Sequence, residues 1–248
     1  MKIAVCISQV PDSTTKVKIG QNHRSIDPGE VSFIINPYDE FAVEEALKLK
    51  EKYGGETIAV SVGKESVKET IRKAFAMGID KGVLIKTDEE MDSYSIAKNL
   101  ADVLKEINPD IIFFGKQAID YDDSQIGTLT AEFMGLSSIS VVTELTIEGN
   151  NVTAEREIEG GKEIVVALLP VFICAQKGLN DPRYPNLRGI MQAKSKPIED
   201  KQPVYTGNKT EVLNMKLPKP KDKGKIVGTE PAAVHELVRL LREEAKVI

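Results

Sequence analysis

The sequence lacks the features of a membrane-spanning, disulfide-bonded or zinc-binding protein. Its longest apolar run, from Ile164 to Ala175, is interrupted by Pro170 and is too short to span a bilayer. The two cysteines, Cys6 and Cys174, lie in separate apolar runs, so we expect free buried thiols, as in a reducing compartment. Because the only two histidines are distant in sequence, a standard zinc site is excluded. We expect a soluble protein that holds no metal.

Several common functional motifs are also missing. No G-x-G-x-x-G follows the first apolar segment, and neither G-x-x-x-x-G-K-[ST] nor G-x-S-x-G occurs. These absences exclude the usual dinucleotide fingerprint, the P-loop and the nucleophile elbow. The apolar N-terminus reaches Gln9 and Pro11 without a small-residue cleavage site, which favours a first strand over a signal peptide.

Charge is unevenly distributed along the chain. The formal net charge is −5, yet the segment from Lys194 to Lys225 carries nine lysines against four acidic residues. A basic segment of this kind could bind nucleic acid, but it has one aromatic residue, Tyr205, and no arginine, where stacking and phosphate contacts would need both. We therefore expect no nucleic-acid partner, and interpret the segment as a tail that lies across a partner subunit.

The first half of the chain alternates strand and helix patterns. Apolar runs predict strands at 2–8, 56–62, 81–86 and 110–114, and helical spacing predicts helices that begin at Pro37 after the N-cap Asn36, and at 64–77, 93–107 and 128–134. Four such units imply right-handed crossovers and a mostly parallel sheet with helices on both faces. The predicted fold class is α/β and Rossmann-like.

The second half of the chain has a different pattern, in which strands follow one another without helices between them. Turn residues separate strands predicted at 141–147, 152–158 and 163–168, which suggests an antiparallel extension of the sheet, and 171–175 adds a buried strand. We assign residues 1–194 to one domain and 195–248 to an arm that ends in an amphipathic helix at 231–245. A further short strand is predicted at 16–19, within the long connection that follows the first strand.

The stretch from Gly115 to Gly127 is the strongest candidate for a ligand site. It joins a buried strand to the start of a helix, where free N–H groups and the positive dipole end favour an anion such as phosphate. Its three aspartates would repel phosphate unless they face a ribose, a base or solvent, so we place phosphate near Ser124 and hydroxyls or base near Asp120. An ordinary solvated loop with a capping Asp or Ser explains the local sequence equally well.

Ligands of parallel sheets gather at the carboxyl ends of the strands. That rule brings together Cys6 to Gln9, Asn36 to Asp39, Val62 with Gly63, and Gly115 to Ile126. Farther along, the polar, Pro-containing segment from Leu179 to Met191 reads either as an ordinary exposed loop or as one that presents an apolar anchor to another protein.

Three stretches together resemble the beta (small) subunit of electron-transfer flavoprotein. They are residues 36–46 (N-P-Y-D-E-F-A-V-E-E-A), residues 115–120 with Gln125 and Gly127, and residues 155–161 leading to Leu169-Pro170 and 180–184. The likeness runs in order from residue 1 to about 198. It implies a heterodimer whose alpha subunit carries the redox FAD, and a beta subunit that holds a structural AMP without catalysing bond formation.

The resemblance implies function and sites as well. Electrons would pass from acyl-CoA or related dehydrogenases, as in fatty acid oxidation, to a quinone reductase. The implied location is the bacterial cytoplasm or the mitochondrial matrix, and we favour the cytoplasm. The implied nucleotide contacts are Cys6, Asn36, Pro37, Tyr38, Asp39, Val62, Gly115, Lys116, Gln117, Ala118, Ile119, Asp120, Tyr121, Asp122, Asp123, Ser124, Gln125 and Ile126. The implied recognition loop for dehydrogenase partners is residues 183–191, and its implied contacts are Arg183, Tyr184, Leu187 as the apolar anchor, Ile190 and Met191. Glu157 would pair with an arginine of the alpha subunit.

Two alternatives stay open. Residues Gln9 to Ser13 resemble electron-bifurcating members of the family, in which the beta subunit binds a second FAD in place of AMP and NADH-dependent reduction follows. The fold alone is also compatible with a stand-alone adenine-nucleotide sensor.

Overall fold

A computed structural model describes residues 1–205, 207–220 and 223–248. The strands are β1 Lys2–Cys6, β2 Gln9–Pro11, β3 Phe33–Ile35, β4 Glu56–Gly63, β5 Lys81–Lys86, β6 Ile111–Gly115, β7 Ser137–Glu148, β8 Asn151–Ile158, β9 Gly161–Leu168, β10 Val171–Ala175 and β11 Glu199–Lys201. The helices are α1 Pro37–Tyr53, α2 Lys68–Met77, α3 Ser93–Ile107, α4 Ile126–Met134, α5 Leu187–Ser195 and α6 Ala233–Glu243.

Nine strands form one sheet in the order β11-β5-β4-β1-β6-β10-β7-β8-β9. From β11 to β7 all neighbours are parallel, and β7, β8 and β9 are antiparallel. The mostly parallel sheet and its antiparallel extension are therefore confirmed. The chain runs outward from β1 through β4 to β5, and then returns to the other side of β1 as β6. This reversal makes the β1/β6 boundary the topological switch point, where open α/β sheets bind ligands.

Each face of the sheet has its own apolar core. On one face α1 and α2 pack against residues such as Ile3, Val5 and Phe113, and on the other α3 and α4 pack against Ala4, Ile112 and Phe172. Alternate residues of one central strand thus face opposite cores, which is why β6 and β10, and β1 after Lys2, carry no charged or polar side chain. The two cysteines are free and buried in this sheet, as expected.

The structure corrects the sequence predictions in several places. Residues 16–19 do not form a strand, since only one bridge, from Ile19 to Ile26, is present there. The second helix begins at Lys68, because residues 65–67 form a 3₁₀ turn. The segment from Leu179 to Met191 is not loop throughout: α5 begins at Leu187, with the Asn186 side chain as its N-cap. No helix within the described residues is long and apolar enough to cross a membrane.

The C-terminal arm begins on the body of its own chain. Strand β11 pairs with β5 at the sheet edge, and the following residues run over α3 to reach His23, whose carbonyl accepts a hydrogen bond from the Met215 N–H. The arm prediction, 195–248, also covers residues 206, 221 and 222, which lie outside the described residues. Helix α6 exposes Val234, Leu237 and Val238.

Candidate functional site

Helix α1 begins beside the switch point, and its first turn holds the neighbouring loops in place. Buried Asp39 accepts a hydrogen bond from the Ser8 N–H at Oδ2 (2.7 Å) and another from the Gly115 N–H at Oδ1 (2.9 Å). One carboxylate therefore bridges the residues that follow β1 and end β6. The approach is close: a Cβ at Gly115 would lie 2.4 Å from Asp39 Oδ1, so glycine is required there.

Asn36 does not cap α1 with its side chain, although it occupies the N-cap position as predicted. Its Nδ2 donates to the Gln117 carbonyl at 2.8 Å, and its Oδ1 accepts from the Ile119 N–H at 3.3 Å. Fully buried, Asn36 binds the backbone of the loop after β6 instead. Because a buried amide must satisfy both its donor and its acceptor, this arrangement fixes the loop relative to α1.

Burial raises the pKa of Asp39 to about 7, although its hydrogen bonds from Ser8, Asn36 and Gly115 act in the opposite direction. The carboxyl group thus titrates near neutrality. Burial also raises the pKa values of Cys6, beneath the site, and Cys174, the latter to about 12. Both thiols therefore stay protonated and unreactive at neutral pH.

The loop from Gly115 to Gln125 satisfies many of its own polar groups. Gln117 is central: its Nε2 donates to Asp122 Oδ1 at 2.5 Å, and its Oε1 accepts from the Ser124 hydroxyl at 3.0 Å. Asp123 accepts a hydrogen bond from the Ser93 hydroxyl at the start of α3. Asp120 Oδ1 accepts from the Tyr121 N–H at 2.9 Å, so all three aspartates that would repel a phosphate have partners in the protein. For Asp120, desolvation and then the charges of Asp123 and Asp122 raise the pKa.

The N-terminus of α4 has free donors. No side chain caps it, and the N–H groups of Ile126, Gly127 and Thr128 have no acceptor in the described part of the chain. Since the dipole of the helix adds positive potential there, an anionic group is favoured at this end. Gly127 lets the helix approach β10: a Cβ would lie 2.7 Å from Cys174 Sγ.

These elements surround a cavity of about 1220 Å³ at the carboxyl ends of β1, β4 and β6. Its apolar lining comes from Ile7, Val62, Val67, Ile96, Leu100, Phe114, Ala118, Ile126 and Leu129. Its polar lining includes Ser8, Gln9, Arg24, Asp120, Tyr121, Asp123 and Gln125. Residues 90–94 and 208–212 complete the wall, and all of them except Met91 and Val212 are polar. A flat apolar group and a polar, anionic group could therefore be held in one space.

The predicted nucleotide contacts divide into two sets. Those that line the cavity are Val62, Ala118, Asp120, Tyr121, Asp123, Gln125 and Ile126. The others lie beside or beneath it and support it, as Asn36, Asp39, Gly115 and Gln117 do through their hydrogen bonds. Cys6 is fully buried within β1.

Sequence reasoning missed one side of the cavity. The start of α3, the arm residues 208–212 and Arg24 all line it, yet none was predicted. Asp92, before the helical pattern of α3, is an N-cap signal that places an electropositive helix end here. No local signal marks the arm residues, because their position depends on long-range contacts.

The predicted docking residues lie on and before α5. Tyr184, Leu187 and Met191 are highly exposed, and Ile190 is less so. The guanidinium group of Arg183 is instead bound within the chain: Nε and Nη2 each lie 2.8 Å from a carboxylate oxygen of Glu44, and Nη1 lies 2.5 Å from Glu51 Oε1. The role of Arg183 that this geometry supports is to hold the segment on α1.

We call residues 183–195, which carry the predicted docking contacts, the docking segment, and its other end is held by α2. The Arg72 Nη1 donates to the carbonyls of Ala193 (3.0 Å) and Lys194 (2.8 Å), which satisfies the end of α5. Glu157, near the exposed end of β8, accepts a hydrogen bond from Gln176 at 3.0 Å and stays open to solvent.

A doubly wound sheet with a cavity at its switch point and a free helix N-terminus defines the class of α/β nucleotide-binding folds. Comparison with known proteins narrows the class. The family described as "Electron transfer flavoprotein domain" matches residues 26–206. The chain is 40% identical to "Electron transfer flavoprotein subunit beta" of Bacillus subtilis, with 100% of both chains covered. It is 34% identical to the Homo sapiens protein of the same name, covering 100% of this chain and 99% of that one. The chain belongs to the electron transfer flavoprotein family, among its beta subunits.

Proposed function

We propose that the chain is the beta subunit of a heterodimeric electron-transfer flavoprotein and that it binds a structural AMP in the switch-point cavity. The heterodimer would accept electrons from acyl-CoA or related dehydrogenases and pass them to a quinone reductase. The observation that carries the AMP proposal is the pairing of an apolar cavity with the uncapped N-terminus of α4. The apolar lining suits adenine, and the helix end suits one phosphate.

In this proposal the residues of the chain bind and orient, and make no covalent bond. Asp39 and Asn36 hold the loop after β6, and Asp120 offers an acceptor for ribose hydroxyls. The FAD held mainly by the alpha subunit would supply the one-electron chemistry. Buried free thiols agree with a reducing cytoplasmic location.

The alpha subunit is proposed to cover the apolar surfaces that the chain leaves exposed. Along β9, Ile164, Val166 and Leu168 are 71%, 64% and 58% exposed on one face of the edge strand. Helix α6 adds an exposed apolar side at the end of the arm. Contiguous apolar surface of this kind marks protein interfaces, and an open edge strand invites association.

The test is to purify the chain with its alpha partner and to extract the bound nucleotides. One FAD and one AMP per heterodimer support the proposal, whereas an empty beta site would refute it. A heterodimer with Gly161→Ala, a change in open space far from the cavity, serves as the control for handling losses.

One observation favours the bifurcating alternative. The cavity of about 1220 Å³ exceeds the roughly 300–1,000 Å³ of usual small-molecule sites, and Gln9, the first residue of the stretch with bifurcating character, lies in its wall. This alternative predicts two FAD per heterodimer, no AMP, and reduction of the flavins by NADH.

A further inference from the structure

The arm segment 203–205 and 207–212, named here the strap, is bound to helix α3 chiefly through two side chains. Buried Asn99 accepts hydrogen bonds from the Val204 and Tyr205 N–H groups (2.8 and 3.0 Å) and donates to the Tyr205 carbonyl (2.6 Å). If the strap moved away, this buried amide would lose these partners, which is costly. The first part of the arm is therefore part of the fold.

The second side chain is Asp92, the N-cap of α3. Its Oδ1 accepts from the Ser95 N–H, while its Oδ2 accepts from the N–H groups of Lys209 (2.6 Å) and Thr210 (2.8 Å). Asn208 reinforces the contact by donating to the Glu90 carbonyl at 2.8 Å. These bonds fix the backbone on both sides of Lys209.

The strap closes one side of the switch-point cavity, since residues 208–212 all line it. The cavity wall is rich in acids, and its basic side chains are Arg24 and Lys209. Arg24 is paired with Glu211 at 2.6 Å. The Lys209 ammonium lies 5.3 Å from the centre of the Tyr94 ring, also in the wall, and has no ion-pair partner among the described residues.

We propose that the strap is a wall of the nucleotide site and that Lys209 is the cation that binds the phosphate of the nucleotide. This inference rests on the proposed adenylate site. A lysine ammonium is a flexible point charge that suits a phosphate, and its neighbours on the strap are already fixed. The arm thus contributes a ligand contact before it continues to the partner subunit.

The experiment compares AMP with adenosine, by calorimetric titration of the full chain in its heterodimer after removal of bound nucleotide. Lys209→Gln is expected to weaken AMP binding about tenfold, the effect of losing one charged contact, and to leave adenosine binding unchanged. Lys216→Gln, an exposed arm lysine outside the cavity, is the matched control and should change neither. Lys209→Arg should retain most of the affinity for AMP, and rising salt should reduce the difference between Lys209→Gln and the wild type.

The possible outcomes distinguish the phosphate-binding role of Lys209 from the proposed adenylate site itself. If the wild type binds AMP and Lys209→Gln binds it equally well, the phosphate role is refuted while the proposed function stands. If both ligands weaken together, Lys209 acts on the shape of the site and the assignment is again overturned. If the wild type binds neither ligand, the proposed adenylate site itself fails.

Discussion

Replacing Arg183 with methionine is expected to destabilise the protein and to loosen the docking segment. Glu44 is nearly buried, and the guanidinium group of Arg183 binds both of its carboxylate oxygens at 2.8 Å. Without that group, the carboxylate keeps the backbone N–H of residue 183 as its remaining partner in this cluster. Breaking a buried ion pair from one side costs about 3–5 kcal/mol, and because Arg183 is one-third exposed we expect the lower end, about 3 kcal/mol.

The companion change, Glu51→Gln, separates this cost from the loss of an ordinary surface charge. Glu51 is 59% exposed, so its pair with Arg183 should contribute less than about 1 kcal/mol. Hydrogen bonding to Arg183 lowers the pKa of Glu51 against the opposing effect of burial. That stabilisation is present above the unfolded-state pKa of Glu51 and is lost as pH falls through the lower folded-state value.

Thermal unfolding and a double-mutant cycle provide the assay. A loss of about 3 kcal/mol should lower the Tm by roughly 6–12 °C in a chain of this size. Adding Glu44→Gln to Arg183→Met should recover part of the loss, because the unpaired charge is removed, and the coupling energy should be about 2 kcal/mol. A coupling energy below about 0.5 kcal/mol, or equal effects of Arg183→Met and Glu51→Gln, would refute the proposed role of Arg183 in holding the segment on α1.

Three further changes test the site and the docking surface. Leu187→Ala should slow electron acceptance from a dehydrogenase without loss of flavin, whereas Leu213→Ala, equally exposed at 75%, should not; unchanged steady-state kinetics would contradict the anchor role. Gly115→Ala should displace Asp39 and lower both stability, by about 1–3 kcal/mol, and nucleotide content, and Gly161→Ala should do neither when unfolding and extracted nucleotide are measured. Because the pKa of Asp39 is raised from 3.8 to about 7, the folded state binds its proton more tightly, so its ionisation should reduce stability by on the order of 4 kcal/mol as pH rises through that window. Asp39→Asn should flatten this dependence in denaturant titrations, and an unchanged slope would disprove the assignment.

The parallel core was predictable because its signals are local. Strand β5 and helix α3 have the predicted bounds, 81–86 and 93–107, and β10 has the predicted 171–175. In each case an apolar run or a helical pattern ends at turn or capping residues, such as Asp92 before α3. A strand that is buried on both faces of a sheet has a continuous apolar run, so such runs were enough to predict the central strands.

The sequence predictions fail where a contact with a residue far away in the chain determines the local structure. Asn36 has the sequence of a side-chain cap, but its amide binds Gln117, which is 81 residues away. Likewise, Asn99 reads as an ordinary helix residue, yet it holds the backbone of Tyr205. Helix α5 was missed because Pro and Gly around a short helix suggest a loop, while its packing on α2 and the Arg72 contacts stabilise it.

Helix α1 links the candidate nucleotide site to the docking segment. Asp39 in its first turn binds the residues that follow β1 and end β6, and Glu44 and Glu51 hold Arg183. At 1.5 Å per residue, Asp39 and Glu51 are about 18 Å apart along the axis. Since the helix is packed against β1, β6 and β10, it cannot shift at one end without straining contacts at the other. The helix therefore fixes the position of the exposed Leu187 surface relative to the switch-point cavity, although the two do not touch.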